Sequence, residues 1–365
     1  YMKQNKQNQI IYFFPDPQIG GVEKNFFIIS KYLSAFFKQT FLITSNRVHK
    51  KIDKKISLIK VNNFWSYINR RLFFIICSVK LFLICAKFKD SIIFSFQGNF
   101  YAIIISILLN RKIIIRSNLS PQGWKSFPLK MKIFKYLLSK ANLIIVNSNE
   151  FQKEMKKEFN ITTTTIFNPT NFKEIKKLSA FKKKIDFFKK KTINLINVGR
   201  LVPQKNQIEI LQSLIQLKTL IVNYRLLIIG SGPDNLYLQN FVHRNNLAKY
   251  VKIIYAQNPY KYIKMSDVFI LSSKYEGLPN VLLEAAHLNK FIISSDCKTG
   301  PKEIINKYKY GKLYKTGNTN DLSALLKKLN KVELISKKKD FSLGLKIYSH
   351  DKNLKKYLDA IKKLL

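Results

Sequence analysis

The chain has 365 residues, of which 46% are hydrophobic, and its 65 Lys and Arg against 21 Asp and Glu give a formal net charge of +44. This length predicts two domains, and an apolar content that includes 28 Phe and 18 Tyr is sufficient for two cores and excludes large-scale disorder. The charge favours anionic partners, such as phosphorylated substrates, nucleic acid or an acidic membrane surface.

Short β-branched runs alternate with longer amphipathic stretches through the first half of the chain. Strands are predicted over residues 10–14, 40–44, 57–61, 91–95, 112–116 and 143–146. Helices are predicted between them, including residues 22–37 and the strongly apolar residues 66–87. This alternation is typical of a parallel sheet with helices on both faces.

The longest apolar stretch, residues 72–86, is interrupted by Lys80 and falls short of the ~18–20 residues that a membrane-spanning helix needs. Residues 10–14 are too short for the apolar part of a secretion signal and end at Pro15. The three cysteines lack the paired spacing of a disulfide framework or a metal cluster. We therefore expect a cytoplasmic protein, peripheral at the inner face of the cell membrane.

A lysine-rich segment separates the two halves of the chain. Residues 173–191 contain nine lysines and neither Gly nor Pro, which indicates a solvated helix followed by a linker. We place the border between two domains here, so that residues 1–185 form the first domain and residues 186–345 the second. Residues 346–365 include a basic amphipathic helix, which is predicted to pack back on the first domain.

The alternation of strands and helices restarts after this segment. Strands are predicted over residues 192–198, 224–229, 251–255, 268–271 and 291–295, and helices over residues 204–217, 234–245, 258–265, 280–287 and 301–306. Both halves are therefore predicted to be Rossmann-like, doubly wound α/β domains, which bind ligands at the carboxyl ends of their strands. Two such domains facing a central cleft suit a reaction that joins two substrates.

The most informative motif reads Lys-Tyr-Glu-Gly-Leu-Pro-Asn-Val-Leu-Leu-Glu-Ala over residues 274–285, between a predicted strand and helix. Gly277 and Pro279 predict a tight loop, and the free N–H groups at the start of the helix form an anion site suited to a diphosphate. Glu276 before the loop and Glu284 inside the helix can accept hydrogen bonds from hydroxyls on either side of it. A capped helix with two surface carboxylates explains the same residues without a ligand.

Two further loops follow predicted strands. Arg200 and Lys205 come directly after the first strand of the second domain, where two fixed cations can balance a diphosphate leaving group. Gly20 and Gly21 follow the first strand of the chain and allow a backbone to approach a ligand closely. The chain has no G-x-G-x-x-G motif, which disfavours a nicotinamide-type dinucleotide site.

Taken in order, these motifs resemble the retaining glycosyltransferases of family 4, which have two Rossmann-like domains in the GT-B architecture. The resemblance is specific over residues 194–305 and looser in the first half, where it rests on residues 19–23. The matching motifs are residues 197–200 with Lys205, residues 230–233, residues 266–273, the E-x7-E pair of Glu276 and Glu284, and residues 300–305.

The resemblance implies a role for each matching position. Arg200, Lys205 and Glu276 would be the catalytic residues, since the cations would hold the donor phosphates while Glu276 contacts the transferred sugar. Glu284 would bind the ribose hydroxyls. The residues implied in donor binding are Gly277, Leu278, Asn280, Val281, Leu282, Glu284, Gly230 and Gly232. Members of the family retain anomeric configuration and generally need no metal, so we expect a nucleotide sugar as substrate and no metal or other cofactor.

One position departs from the family pattern. Many members place a histidine of the acceptor domain near the donor sugar, but the corresponding residues 113–120 contain none. Ser117 and Asn118 are the residues that we expect to supply hydrogen bonds there, with Gly20 and Gly21 bordering the same acceptor side. The missing histidine leaves open a catalytically inactive protein that only binds a nucleotide sugar.

The basic, Phe-rich first domain is expected to bind the acceptor, a glycan or a polyprenyl-diphosphate-linked sugar, at an anionic membrane surface. Residues 69–89 are the candidate docking helix, and a buried core helix with charged ends is the alternative. The expected reaction moves a hexose or N-acetylhexosamine from a nucleotide sugar, UDP-linked as the commonest case in such enzymes. The product would be a cell-surface polysaccharide or glycoconjugate.

Two other classes of function are open to this sequence. A nucleic-acid-binding protein would use the charge, but no nucleic-acid motif is present and the E-x7-E pair is unexplained, so we expect no nucleic-acid partner. A sugar-nucleotide epimerase or a phosphorylase of the same architecture would share the donor site. An epimerase would release free product without an acceptor.

Overall fold

The computed structural model describes residues 9–17, 20–46, 52–62, 64, 68–118, 128–180, 186–308, 311–336 and 342–365. The chain forms two α/β units: residues 1–169 with residues 351–365, and residues 170–350. Each unit contains one parallel sheet with helices between its strands, so the predicted pair of Rossmann-like domains is confirmed.

Seven parallel strands form the sheet of the first unit. They are β1 (Gln9–Phe13), β2 (Gln39–Ser45), β3 (Ile56–Val61), β4 (Ile92–Ser95), β5 (Ile113–Ser117), β6 (Leu143–Val146) and β7 (Thr164–Thr165). Their order is β3-β2-β1-β4-β5-β6-β7. Runs of Ile, Phe and Val without polar alternation explain why β1 and β4 lie buried inside the sheet, because a parallel strand is covered on both faces.

Six parallel strands form the sheet of the second unit. They are β8 (Ile193–Val198), β9 (Tyr224–Ile229), β10 (Val251–Ile254), β11 (Val268–Leu271), β12 (Phe291–Ser295) and β13 (Gly311–Tyr314). Their order is β10-β9-β8-β11-β12-β13, so the chain adds strands on one side of β8 and then crosses to the other side. Doubly wound sheets bind ligands at such a reversal, which here lies between β8 and β11.

Helices connect the strands of both sheets. They are α1 (Gly21–Leu33), α2 (Arg70–Lys87), α3 (Asn99–Leu108), α4 (Pro128–Ser139), α5 (Asn149–Phe159), α6 (Phe172–Ser179), α7 (Gln207–Ile215), α8 (Asn235–Arg244), α9 (Tyr260–Met265), α10 (Asn280–His287), α11 (Pro301–Tyr308), α12 (Thr319–Lys327), α13 (Lys331–Ser336), α14 (Ser342–Leu345) and α15 (His350–Lys362). Short 3₁₀ segments span Lys218–Asn223 and Lys346–Tyr348.

The predicted helix over residues 66–87 begins at Arg70 in the structure. The side chain of Asn69 caps it by accepting hydrogen bonds from the backbone N–H groups of Arg71 and Leu72, at 2.8 and 3.4 Å. Residues 66 and 67 of the prediction lie outside the described residues. Within the part of the chain that the structure describes, no helix is both long enough and apolar enough to cross a bilayer.

Two hydrophobic clusters lie on opposite faces of the first sheet. Ile11 and Phe13 of β1 face the cluster to which α2, α3, α4 and α5 contribute. The alternate residue Tyr12 faces the cluster formed with α1 and α15, where its ring lies 5.5 Å from that of Phe26. The first unit is therefore a three-layer domain, and its last helix is part of its core.

The border between the units lies at residues 169 and 170, earlier than the predicted border at residues 185 and 186. The reason is α6, which packs on the second unit: the Phe172 ring lies 4.7 Å from that of His287, and Asn258 donates a 2.9 Å hydrogen bond to the carbonyl of Leu178. The chain returns to the first unit at Asp351, where α15 packs on the sheet.

The buried side chain of Arg116, at the end of β5, ties three parts of the first unit together. Its guanidinium donates hydrogen bonds to the hydroxyl of Tyr357 on α15 at 2.8 Å, to Asn168 at 2.5 Å, and to the side-chain oxygen of Asn118. It also lies 5.7 Å from the centre of the Phe96 ring. These three hydrogen-bond acceptors are neutral, so the arginine holds the C-terminal helix to the sheet through oriented oxygens.

We predict that Arg116→Met destabilises the protein by about 3 kcal/mol, because the substitution removes the arginine donor from two buried oxygens, of Tyr357 and Asn168, and from the half-buried oxygen of Asn118. The free energy of unfolding from urea titration checks this, with Lys355→Met on the exposed side of α15 as the matched control. Equal unfolding free energies for Arg116→Met and wild type would show that Arg116 does not hold α15.

Candidate active site

Four loops meet at the carboxyl edge of the second sheet, around the reversal between β8 and β11. They follow β8, β9, β11 and β12, and they contain the predicted catalytic residues and half of the predicted donor-binding residues, the other half lying in α10. Because parallel strands all end at the same edge, residues separated by about seventy positions in the sequence come into contact here.

The loop after β8 carries Arg200 and Lys205 and is pinned by the loop after β9. The backbone N–H of Leu201 donates to the carbonyl of Ser231 at 2.9 Å, and its carbonyl accepts from Asp234 at 3.0 Å. A Cβ atom at Gly230 would lie 1.9 Å from the carbonyl oxygen of Gly199, and one at Gly232 would lie 2.2 Å from that of Leu201. Both glycines therefore let the two loops pack closely, and their predicted contact with a donor stays a prediction.

Lys205 and Glu276 form an ion pair across the reversal. The Lys205 ammonium lies 2.5 Å from a carboxylate oxygen of Glu276, and only 17% and 8% of these side chains are exposed. Two hydrogen bonds hold the loops in register: the backbone N–H of Lys274 donates to the carbonyl of Gln204 at 2.8 Å, and the side-chain amide of Gln204 donates to the carbonyl of Tyr275 at 2.9 Å. A charged pair this poorly exposed is held by the fold, because long charged side chains otherwise remain in water.

Buried serines support both members of this pair. The hydroxyl of Ser273 donates a 2.6 Å hydrogen bond to the Glu276 oxygen that also accepts from Lys205, and Ser272 donates to the carbonyl of Lys205 at 2.8 Å. The hydroxyl of Ser295 holds the carbonyl of Ser273 at 2.7 Å. Ser272 and Ser273 end the family-like motif of residues 266–273 and Ser295 ends a predicted strand, but nothing in their spacing reveals the hydrogen bonds.

The loop after β12 fixes the backbone around Glu276. The hydroxyl of Thr299 donates to the main-chain carbonyl of Glu276. Gly300 has a φ of +87°, and a Cβ there would lie 2.0 Å from the carbonyl of Gly277 and 2.7 Å from the ring of Pro279. Only glycine fits this approach, which sets the entry of the chain into α10.

The first turn of α10 follows directly at Asn280. Pro279 precedes it in an extended conformation without a side-chain cap, and the positive end of the helix dipole at this turn favours an anion. The predicted donor-binding positions Leu278 and Leu282 are buried and position this turn, whereas Asn280 and Val281 are half-buried. Gly277 lies in the loop between Glu276 and the helix.

Glu284 lies one turn inside α10 and is 5% exposed. One of its carboxylate oxygens accepts a hydrogen bond of 3.2 Å from the hydroxyl of Tyr260, the first residue of α9. The structure therefore places the two glutamates of the E-x7-E pair on different partners: Glu276 on Lys205 and Ser273, and Glu284 on Tyr260. Like the supporting serines, Tyr260 is a residue whose role the sequence did not reveal.

The candidates of the first unit have other surroundings. Gly20 and Gly21 form the exposed start of α1, where Gly20 has a φ of 167° that any residue can adopt. Ser117 ends β5 and is half-buried. The Asn118 amide accepts from Arg116 and donates to the carbonyl of Phe96 at 3.3 Å, so the fold already uses it on both sides. The proposed contact of these residues with an acceptor stays a prediction.

Glu209 on α7 braces the loop that carries Lys205. This buried carboxylate accepts hydrogen bonds from the backbone N–H of Gly317 at 3.0 Å and from the side chain of Asn206. Asn206 has a φ of +51° and directly follows Lys205. Burial raises the pKa of Glu209 above its ordinary value, although these hydrogen bonds and the nearby Lys274 act in the opposite direction.

Comparison with known proteins finds a described family to which the second unit is similar. Residues 179–343 match the family model of glycosyl transferases group 1. An uncharacterized glycosyltransferase of Methanocaldococcus jannaschii is 31% identical over 246 residues, which cover 62% of this chain and 60% of that protein.

A second relative is the N-acetylgalactosamine-N,N'-diacetylbacillosaminyl-diphospho-undecaprenol 4-alpha-N-acetylgalactosaminyltransferase of Campylobacter jejuni. It is 27% identical over 239 residues, covering 63% of each chain. The matched stretches thus span about three-fifths of the length of both relatives. Among solved structures, Anabaena HepE in complex with UDP and glucose superposes with a TM-score of 0.75 at 14% identity, covering 97% of this chain and 99% of HepE. The predicted GT-B fold is confirmed.

We predict that the raised pKa of Glu209 makes stability depend on pH. Because the folded state binds this proton more tightly than the unfolded state, its contribution is fully present below the ordinary pKa of a Glu and is lost as the pH rises through the folded value. Glu209→Gln removes this titration. We therefore expect the free energy of unfolding of the wild type to fall relative to that of Glu209→Gln as the pH is raised from pH 4 to pH 7. A difference that stays constant across this range would contradict the prediction.

Proposed function

We propose that this chain is a retaining glycosyltransferase of family 4. It transfers a hexose or N-acetylhexosamine from a nucleotide sugar, with UDP as the first candidate nucleotide, to a glycan or polyprenyl-diphosphate-linked acceptor. The reaction takes place at the cytoplasmic face of the cell membrane, in the synthesis of a cell-surface polysaccharide or glycoconjugate. The observation that carries the proposal is the ion pair of Lys205 and Glu276, at the edge of the sheet where doubly wound domains bind their ligands.

The donor diphosphate binds between the cations of one loop and the helix start of another. Arg200 and Lys205 supply two charges from the loop after β8, and the N–H groups at the start of α10 supply oriented donors. During transfer the bond from the anomeric carbon to the diphosphate oxygen breaks, and a bond to the acceptor hydroxyl oxygen forms. The acceptor proton is released while the diphosphate takes up negative charge, and the fixed cations stabilise that charge.

Donor binding requires Lys205 to share its ammonium group. This group contacts Glu276, and an arriving diphosphate competes with the carboxylate for it. Ser273 stays bonded to the same carboxylate oxygen and keeps Glu276 in position to meet a sugar hydroxyl. Glu284, which is held by Tyr260, binds the ribose hydroxyls on the other side of the diphosphate.

The names of the relatives support a sugar donor and a lipid-linked acceptor. The C. jejuni relative is named as a transferase of N-acetylgalactosamine that acts on a diphospho-undecaprenol-linked sugar. Anabaena HepE, whose fold is shared, was solved with UDP and glucose. We propose that the first unit of this chain binds an acceptor of the same chemical class.

We propose that the reaction needs no metal ion. Arg200 and Lys205 supply the charge that a divalent cation supplies in other nucleotide-sugar enzymes. Activity that is unchanged after treatment with a chelator would support this, and activity restored only by a divalent cation would overturn it.

The first prediction of this proposal concerns the catalytic charges. Arg200→Ala and Glu276→Ala should each lower sugar transfer by about 10²–10³-fold, because each removes a fixed charge that faces the developing diphosphate or the sugar. A panel of UDP-, GDP- and ADP-sugars, assayed for donor binding and hydrolysis, identifies the nucleotide. The matched control is Lys252→Ala, an exposed cation on β10. If both variants keep wild-type transfer, the site assignment is wrong.

The second prediction concerns Ser273, a positioning residue that acts through Glu276. Ser273→Ala should lower kcat by about tenfold with little change in the KM for the donor, because a hydrogen bond to a charged group contributes ~1.5–3 kcal/mol and the cations that bind the diphosphate remain. Ser266→Ala is the matched control, since this serine is equally buried but donates only to a helix carbonyl. Equal kcat values for Ser273→Ala and Ser266→Ala would refute the positioning role.

A further inference from the structure

Exposed apolar side chains concentrate on three neighbouring helices of the first unit. α2, α3 and α4 pack side by side on one face of the sheet, and they share one core cluster beneath them. Ten large apolar side chains on these helices are exposed: Leu72, Ile75, Val79, Phe82, Leu83, Ile107, Leu108, Leu129, Ile133 and Tyr136. We call these ten residues the outer apolar face.

α2 carries two apolar stripes, of which the core uses only one. Its inner stripe, including Phe73, Cys77 and Leu81, is fully buried. Its outer stripe repeats at intervals of three and four residues, which is the spacing of one side of a helix. Val79 is 54% exposed and Leu83 is 56% exposed at the middle of this stripe. On a surface helix that faces only water, the outward positions carry polar residues. An apolar stripe at these positions therefore indicates a surface that binds a partner.

The stripe continues across the neighbouring helices. Leu129, Ile133 and Tyr136 follow each other at intervals of four and three residues along α4, and all three are exposed. Ile107 and Leu108 end α3, which lies between α2 and α4. The outer apolar face is therefore a broad surface rather than a single stripe.

The charges on this surface have one sign. The three helices contain seven basic residues and no Asp or Glu: Arg70, Arg71, Lys80, Lys87, Lys130, Lys132 and Lys135. Arg70 lies 3.8 Å from the carboxylate of Asp16, which belongs to another segment. Lys80 and Lys87 are exposed along the same helix as Val79 and Leu83. Cations beside exposed apolar side chains match the boundary between acyl chains and anionic headgroups in a bilayer.

We propose that α2, α3 and α4 dock this protein on an anionic lipid bilayer, with the outer apolar face inserted at the level of the headgroups. A second copy of this chain is a poor occupant, because two such surfaces would bring the exposed cations of these helices together without an acidic residue of the three helices between them. A lipid surface satisfies both features at once, since acyl chains take up the apolar side chains and headgroup phosphates pair with the lysines.

This inference deepens the proposed function, because it names the surface that brings the enzyme to a lipid-linked acceptor. Its test does not depend on catalysis. The wild-type protein is mixed with vesicles of phosphatidylcholine alone or with about 30% phosphatidylglycerol, and bound protein is measured by flotation. We expect strong binding to the anionic vesicles, weak binding to the neutral ones, and loss of binding at high salt.

Two double variants separate the apolar and the charged contributions. Val79→Ser with Leu83→Ser removes apolar area and keeps every cation, and should weaken binding to anionic vesicles by about tenfold. Lys80→Gln with Lys87→Gln keeps the apolar area and should weaken the same binding by about tenfold. The matched control is Leu236→Ser with Tyr237→Ser, an exposed apolar pair on α8 of the second unit, which should bind as the wild type does.

Each outcome decides the proposal. Binding of both double variants at wild-type strength would overturn it. So would a concentration-dependent dimer, seen by light scattering without lipid, that the Val79 and Leu83 substitutions abolish, because the occupant would then be a second copy. Circular dichroism melting confirms that the variants fold. Donor binding by the vesicle-defective variants should equal that of the wild type, so a failure of docking is distinguishable from a failure of the proposed enzyme function.

Discussion

The candidate site depends on keeping one carboxylate charged while almost no water reaches it. Glu276 is 7% exposed, and burial of an ionised group is costly unless the fold supplies a counter-charge and donors. Lys205 supplies the charge and Ser273 the second donor, both at the same oxygen. Removing Lys205 or Ser273 would leave the buried charge of Glu276 poorly compensated, so these three residues act as a unit. The loops around them can be understood as the means of holding that unit in place.

The order of the strands in the second sheet brings this ion pair together. β8 and β11 are neighbours in the sheet although more than sixty residues separate them in the chain, and their carboxyl ends deliver Lys205 and Glu276 to one point. The loops that follow can touch only because Gly230, Gly232 and Gly300 lack a Cβ atom at the places where backbones meet. These glycines allow the loops to pack against each other. The packing in turn positions the charged residues, which lie elsewhere in the loops.

Much of this arrangement could be predicted from the sequence, because its signals are local. Short β-branched runs marked most strands, and the E-x7-E spacing marked Glu276 and Glu284. The supporting roles of Ser273 and Tyr260 could not be predicted. They depend on hydrogen bonds to the two glutamates that only the folded chain brings about. Asn118 shows the converse: it matched an expected position, yet its amide is bonded to Arg116 and Phe96. The short strands β7 and β13 carry too few residues for a periodic signal, and β13 begins at a glycine.

The net charge of +44 is used in two different ways in the two units. At the second sheet, Lys205 is largely buried and paired with the acidic Glu276, so in the proposed function its charge would give selectivity for a diphosphate held in a defined geometry. On α2 and α4, Lys80, Lys87, Lys132 and Lys135 are exposed and the helices contain no Asp or Glu, so in the proposed docking these lysines would act through their summed field on a surface without fixed geometry. A substrate that carries a diphosphate at the end of a lipid would meet both kinds of charge. The same excess of lysine over acid would then serve recruitment at one surface and chemistry at the other.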